Sequence, residues 1–182
     1  MNLGIIGAGS LGAALGNRLS GAGHAILYGT GAEPKPAAAL DGAEVGTNSE
    51  AAAFSDVLIL AVPFAAIDEA MPSDGELAGK IVWSCVNALK PNFSGLAVGF
   101  ETSAAEEVAS RAPRARVVKA IPPFASAIAA GSPPCDHGLR PSVFVAGDDA
   151  GAKRAVERLI EDLGAMPVDA GRSRPLATSS PR

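Results

Sequence analysis

Apolar residues along this chain fall in short runs of strand length, separated by alanine-rich stretches of helical character. Leu3 to Ile6 predicts a first strand, Leu11 to Ser20 a helix, and Ala25 to Tyr28 a second strand. A short helix is expected across Pro36 to Leu40, and Asn48 reads as the cap of another running through Ala53. Asp56 to Val62 predicts a buried strand, and Pro63 after it suits the first turn of a helix. Lys80 to Ser84 and Arg116 to Ala120 read as further strands, with a helix over Ser103 to Arg111 between them. Ser142 to Ala146, a helix over Asp148 to Leu163, and Pro167 to Asp169 complete the pattern. Strands alternating with helices imply parallel pairing through right-handed crossovers. The fold class is therefore α/β: a Rossmann-like, doubly wound, mostly parallel sheet with helices on both faces.

One segment breaks the alternation. Ile121 to Pro141 holds five prolines (Pro122, Pro123, Pro133, Pro134, Pro141) and reads as a loop around at most one short helix. Long irregular loops in compact domains often serve as lids or binding loops, though a plain surface excursion fits equally.

Composition narrows the function classes. Hydrophobic residues make up 48% of the 182 and charged residues 19%, a balance suited to a sheet buried on both faces. A formal net charge of -4 with no basic run argues against a nucleic-acid partner. The longest later apolar run, Val57 to Ala66, is about half the ~20 residues that a membrane-spanning helix needs. The apolar N-terminus has no basic leader, so a cytoplasmic protein without a membrane partner is expected. Cys85 and Cys135 have no metal-ligand spacing, and no metal site is expected.

The chemistry is concentrated in Gly7-Ala8-Gly9-Ser10-Leu11-Gly12, which matches G-x-G-x-x-G between a strand and a helix. Gly7 permits the tight turn, Gly9 lets the backbone approach a pyrophosphate, and Gly12 lets the helix pack against the strand. N–H groups opening the helix would face the phosphates, aided by the helix dipole. Residues 1–172 are thus expected to form one dinucleotide-binding domain, with 173–182 a polar tail.

The second strand decides between dinucleotides. NAD-binding domains place an acid there to bond the ribose 2′-hydroxyl. Here the strand ends Tyr28-Gly29-Thr30-Gly31, so a 2′-phosphate would meet no repulsion in that slot. Thr30 offers a hydroxyl, Gly31 follows it, and Lys35 supplies a positive charge; NADP(H) is favoured over NAD(H). Ala61, Val62 and Pro63, past the central strand, should line the cofactor, and Asn87 sits at the same rim. Its amide could bond the nicotinamide end or merely shape the turn.

No catalytic acid–base set stands out, and the catalytic residues are unassigned. His24 falls at the wrong end of the sheet and reads as a turn residue. His137, beside Asp136 in the proline-rich loop, could approach a substrate but fits a solvated loop histidine better. Cys85 reads as a small buried residue, Glu106 and Glu107 as a solvated helix face, and Asp148-Asp149 as the cap of the long helix.

GIIGAGSLGAALGNRLSGAGH, SDVLILAVPF, VVKAIPPFA and VAGDDAGAKRAVERLIEDLGAMPVDAG together resemble the NADP oxidoreductase family that depends on the deazaflavin coenzyme F420. The resemblance spans residues 1 to about 175. It implies hydride transfer between NADP(H) and a second, flat redox partner, a deazaflavin or a flavin, the protein mainly holding two rings face to face. It implies that the turn Gly7 to Gly12 holds phosphate, that Thr30 contacts the 2′-phosphate, and that Lys35 lies at a basic position of the same loop. Two departures stand out: Gly31 where the family commonly has arginine, and Pro122 in VVKAIPP where many relatives have asparagine. Relatives usually continue past DAG into a further helix, often used in dimer contacts or in closing the site; the resemblance makes a homodimer one candidate assembly and leaves the oligomeric state open.

Other readings are a quinone or metal-chelate reductase, the nucleotide-binding part of a two-domain dehydrogenase such as a pyrroline-carboxylate or 3-hydroxyacid reductase, and a non-catalytic NAD(P)-binding or redox-sensing module. The two-domain enzymes take their catalytic residues from a helical C-terminal domain. Turnover with an added acceptor separates an enzyme from a sensor.

Overall fold

The computed structural model describes residues 1–32, 43–99, 101–122 and 140–173. The expected helix over Pro36 to Leu40 lies outside the described residues, as do Lys35, Cys135, Asp136, His137 and most of the proline-rich segment.

The chain runs β1 (Asn2–Ile6), α1 (Ser10–Gly21), β2 (Ala25–Gly29), β3 (Glu44–Gly46), α2 (Asn48–Phe54) and β4 (Val57–Leu60). A 3₁₀ turn at Phe64–Ala66 leads to α3 (Ile67–Ala70), α4 (Asp74–Leu77) and β5 (Ile81–Ser84). A second 3₁₀ turn, Pro91–Phe93, precedes α5 (Ala104–Arg111), β6 (Arg116–Lys119), β7 (Ser142–Gly147), α6 (Ala150–Asp162) and β8 (Met166–Asp169). Among the described residues eight strands form one sheet in the order β3-β2-β1-β4-β5-β6-β7-β8. The order reverses between β1 and β4, where the chain leaves β1 in one direction and returns on its other side. Ligands of open α/β sheets bind above such a switch point, outside the carboxyl ends of the strands.

The strands pair in parallel from β3 to β6. The β6–β7 pair departs from the parallel expectation: it is antiparallel, with Lys119 opposite Ala146 and Val118 opposite Gly147. The sequence already held the reason. Adjacent parallel strands need a crossover, usually a helix, and the proline-rich stretch between these two offers little helical pattern. From β7 the parallel rule resumes, with α6 crossing over to β8.

Two apolar layers hold the sheet between helices. On one face Leu3, Ile5, Ile59, Trp83, Val118, Val143 and Val145 meet Leu15 and Leu19 of α1 and Val156, Leu159 and Ile160 of α6. On the other, Ile6, Leu58, Leu60 and Val82 meet Ala51 and Ala52 of α2, Ile67, Leu77 and Val108. Every residue of β4 and β5 is buried, as a central parallel strand covered on both sides requires. Each such aliphatic side chain contributes about 1.5–3 kcal/mol relative to exposure. Trp83 is anchored further by its indole N–H, which donates to the backbone oxygen of Ala120 at 2.9 Å.

Helix starts are capped locally. Thr47 and Glu50, Ser73 and Glu76, and Ser103 and Glu106 each form a reciprocal capping box. Two expectations are corrected here. Thr47, not Asn48, caps α2, and Glu106 closes a capping box while Glu107 pairs with Arg111 at 2.8 Å, so neither is a merely solvated acid. Asp149 caps α6, its carboxylate accepting from the Ala152 N–H. Strand β3 was not anticipated; three residues are too few to show a period.

Candidate functional site

The glycine turn joins β1 to α1 at the carboxyl rim, and its three glycines answer to different constraints. Gly7 has φ +106, in the left-handed region that favours glycine, and a side chain there would run into the backbone of Ala61. Gly12 lies against the backbone of Gly7, with no space for a Cβ. Gly9 is different. Its φ of -73 and ψ of -176 are ordinary extended backbone, and a Cβ there would meet nothing within 4 Å. Neither conformation nor internal packing demands glycine at that position. It is N-cap of α1, makes no side-chain capping bond, and no acid occupies the first turn, so the first-turn N–H groups keep their partial positive charge uncapped.

Two cavities open on either side of this turn. One, of about 370 Å³, is lined by Gly7, Gly29, Thr30, Gly31, Asn48 and Glu69 among others. The other, of about 560 Å³, is lined by Gly9, Ser10, Leu11, Ala61, Val62, Pro63, Cys85 and Asn87, with Leu89 to Asn92 at its outer edge. Val62 borders both. Of the cofactor residues read from the sequence that lie within the described chain, all but Gly12 line one of the two cavities, Ala8 the smaller one; Gly12 lies inside the turn, against Gly7. A further cavity of about 480 Å³ lies near Ala112, Arg116 and Asp149, at the amino end of β6 and away from the glycine turn.

The wall of the smaller cavity is set by backbone and amide geometry. Gly7 N–H donates to Gly29 O at 3.3 Å and Thr30 N–H to Gly46 O at 3.2 Å, tying β1, β2 and β3 at their ends. Gly31 takes φ +116, again glycine territory. An arginine at position 31 would be strained in that conformation, which accounts in backbone terms for the residue found there. Asn48, expected only as a cap, lines this cavity, and so does Glu69 on α3. Neither was anticipated as a site residue. The Thr47-Asn48-Ser49-Glu50 capping sequence was the available signal for Asn48, since a satisfied cap frees the next side chain for other partners.

At the larger cavity, burial pushes the Cys85 thiol up to about 12, the nearby Lys119 ammonium acting weakly the other way. Cys85 therefore stays a neutral, unreactive thiol. Lys119, the last residue of β6, sends its ammonium to the backbone oxygen of Val86, between the cavity-lining Cys85 and Asn87. Burial brings that ammonium down to about 8, with Cys85 opposing. His24 lies far from both cavities, as expected: its ring bonds the Met1 amino group at 3.3 Å and Asp162 at 3.0 Å, at the amino edge of the sheet. Among the described residues no helix is long and apolar enough to cross a membrane.

Comparisons with known proteins agree with this geometry. Residues 2–88, which carry the glycine turn, the second-strand loop and the Ala61–Pro63 rim, match the family described as NADP oxidoreductase, coenzyme F420-dependent. A structure from Arthrobacter sp. FB24, provisionally named an F420-dependent NADP reductase, superposes with a TM-score of 0.77 at 27% identity, covering 94% of this chain and 85% of that one. Hypothetical protein SMa0349 of Sinorhizobium meliloti gives a TM-score of 0.75 at 29% identity, covering 95% and 86%. Pyrroline carboxylate reductase of Plasmodium falciparum, solved with NADP bound, shares the fold (TM-score 0.63) at 14% identity; this chain covers 57% of its length. Over residues 2–88 the chain is thus similar to the NADP oxidoreductase, coenzyme F420-dependent family, and across nearly its whole length to the fold of the Arthrobacter and Sinorhizobium structures.

Proposed function

We propose that the protein binds NADP(H) across the switch point of its sheet and exchanges hydride with a flat redox acceptor, a deazaflavin or a flavin. The observation that carries this reading is the pair of cavities meeting at Val62 on either side of an uncapped, glycine-lined helix start. A dinucleotide has that layout: two ends joined by a pyrophosphate. The open space in front of Gly9 fits the close passage of phosphate, and the N–H groups of Ser10 and Leu11 would hold it. Gly29, Thr30 and Gly31 would hold the adenosine ribose. Lys35, four positions after Gly31 in the sequence, would add positive charge. Ala61, Val62 and Pro63 would flank the nicotinamide end with apolar surface, and Asn87 would orient its amide.

When bound, the nicotinamide supplies the hydride chemistry. The chain's contribution is to position two rings and keep water from between them, which needs no acid–base dyad. The largely apolar lining from Leu11 through Ala65 suits that task. The test is a fluorescence titration with NADPH and NADH, followed by NADPH oxidation with coenzyme F420, FMN and FAD offered as acceptors. Tighter NADPH binding and oxidation with any one of the three supports the reading. Binding of neither dinucleotide would overturn it, and tight binding without oxidation would favour a sensor.

A further inference from the structure

Asn48 spends its whole side-chain amide on joining two walls of the smaller cavity. Its Oδ1 accepts the Gly31 N–H at 2.9 Å, and its Nδ2 donates to the backbone oxygen of Ala70 at 2.8 Å. Its own backbone N–H donates to Gly31 O at 3.1 Å. One residue thus engages both the N–H and the carbonyl of Gly31, on either side of its φ of +116, and ties that loop to the C-terminal end of α3. The fit is tight: a Cβ on Gly29 would come within 2.7 Å of the same Oδ1. Capping does not explain the arrangement, because Thr47 already caps α2.

The tie has an electrostatic consequence. Ala70 follows Glu69, an exposed acid that lines the same cavity as Thr30 and Gly31. A carboxylate bonds well to a ribose 2′-hydroxyl and repels a 2′-phosphate. With the Gly31 N–H engaged by Asn48, discrimination between those two substituents depends on how far Glu69 stands from the loop. We propose that Asn48 is a specificity-positioning residue: by bonding both walls it fixes the spacing between Gly31 and the Glu69-bearing end of α3 and stops that end from shifting within the cavity, so that the cavity admits an adenosine ribose carrying a 2′-phosphate. This deepens, and rests on, the reading of that cavity as the adenosine end of the NADP(H) site.

The experiment measures dissociation constants for NADPH and NADH, by nucleotide fluorescence, in the wild-type protein and in Asn48→Ala, Asn48→Ser, Glu69→Gln and the Asn48→Ala/Glu69→Gln double variant. Asn48→Ala is expected to weaken NADPH at least tenfold and NADH threefold or less. Adding Glu69→Gln should recover most of the NADPH loss, because the released acid no longer repels phosphate. Asn48→Ser, uncharged, is too short to bond Gly31 N–H and Ala70 O together; it reads the same ratio if the alanine variant does not fold. Equal loss for both dinucleotides, or no recovery in the double variant, would mean that Asn48 is structural only and overturn the proposal. A wild-type protein that binds neither dinucleotide overturns the underlying site reading instead, and the inference with it.

Discussion

Gly12 packs directly on the carbonyl of Gly7, so the first turn of α1 and the end of β1 are in backbone contact. That contact sets the angle at which the helix leaves the sheet and hence where its first N–H groups point. Gly12→Ala forces a methyl group into backbone atoms that cannot rotate aside. The expected result is a loss of about 1–3 kcal/mol in folding stability, the usual cost of overpacking. Urea unfolding of the variant checks it; an unchanged midpoint would show that the helix moves away freely.

Gly9 gives the opposite outcome, although it belongs to the same motif. Its backbone is relaxed and its surroundings are open, so Gly9→Val should fold, losing no more than ~1 kcal/mol for a poorer helix N-cap. Dinucleotide binding, by contrast, should fall at least a hundredfold, because the isopropyl group fills the space in front of the uncapped N–H groups. The pair of variants separates a glycine kept for the fold from one kept for the ligand. Retained NADPH affinity in Gly9→Val would remove the phosphate from this turn.

Thr30 tests the choice between dinucleotides. Its backbone bond to Gly46 persists whatever the side chain, so Thr30→Asp leaves the β2–β3 ends joined. A carboxylate at that point repels a 2′-phosphate and accepts from a 2′-hydroxyl. NADPH should weaken on the order of tenfold or more, ~1.4 kcal/mol per decade, while NADH is unchanged or tighter. Parallel titrations decide the matter; equal responses would move the 2′-substituent away from Thr30.

The sequence announced most of this architecture because its strongest signals were local. Leu3 to Ile6, Val57 to Leu60 and Ile81 to Ser84 are continuous apolar runs, and the glycine spacing between β1 and α1 carries its own stereochemistry. What escaped was set by distance along the chain. Asn48 looked like a helix cap because its partners Gly31 and Ala70 lie 17 and 22 positions away, and no local pattern links them. Glu69 sat in an unremarkable acidic turn, and only the fold brings it to the cavity that Thr30 also lines. The reversed β7 was legible in principle, since a crossover needs a helix that the prolines between Ile121 and Pro141 discourage.

Lys119 provides a prediction in which pH carries the sign. Its ammonium is largely withdrawn from water and its resolved partners are the Val86 carbonyl and a neutral Cys85 thiol. Burial therefore lowers its pKa in the folded protein to about 8, from an ordinary 10.5. Between those values the unfolded chain holds a proton that the folded chain has released, so folding stability rises with pH across that window. Below pH 8 both states are protonated and the penalty for burying the charge is present in full. Lys119→Met removes the charge and keeps the length. Its stability gain should be largest near pH 7, up to ~3 kcal/mol by the size of the displacement, and should shrink toward pH 10.5. Thermal melts of both proteins from pH 6.5 to 10 measure the difference directly. A variant less stable than the wild type at pH 7 would mean that the bond to Val86, which braces the stretch between Cys85 and Asn87, outweighs the desolvation of the charge. A constant difference across the range would mean that Lys119 is not buried enough for its proton to matter to the fold.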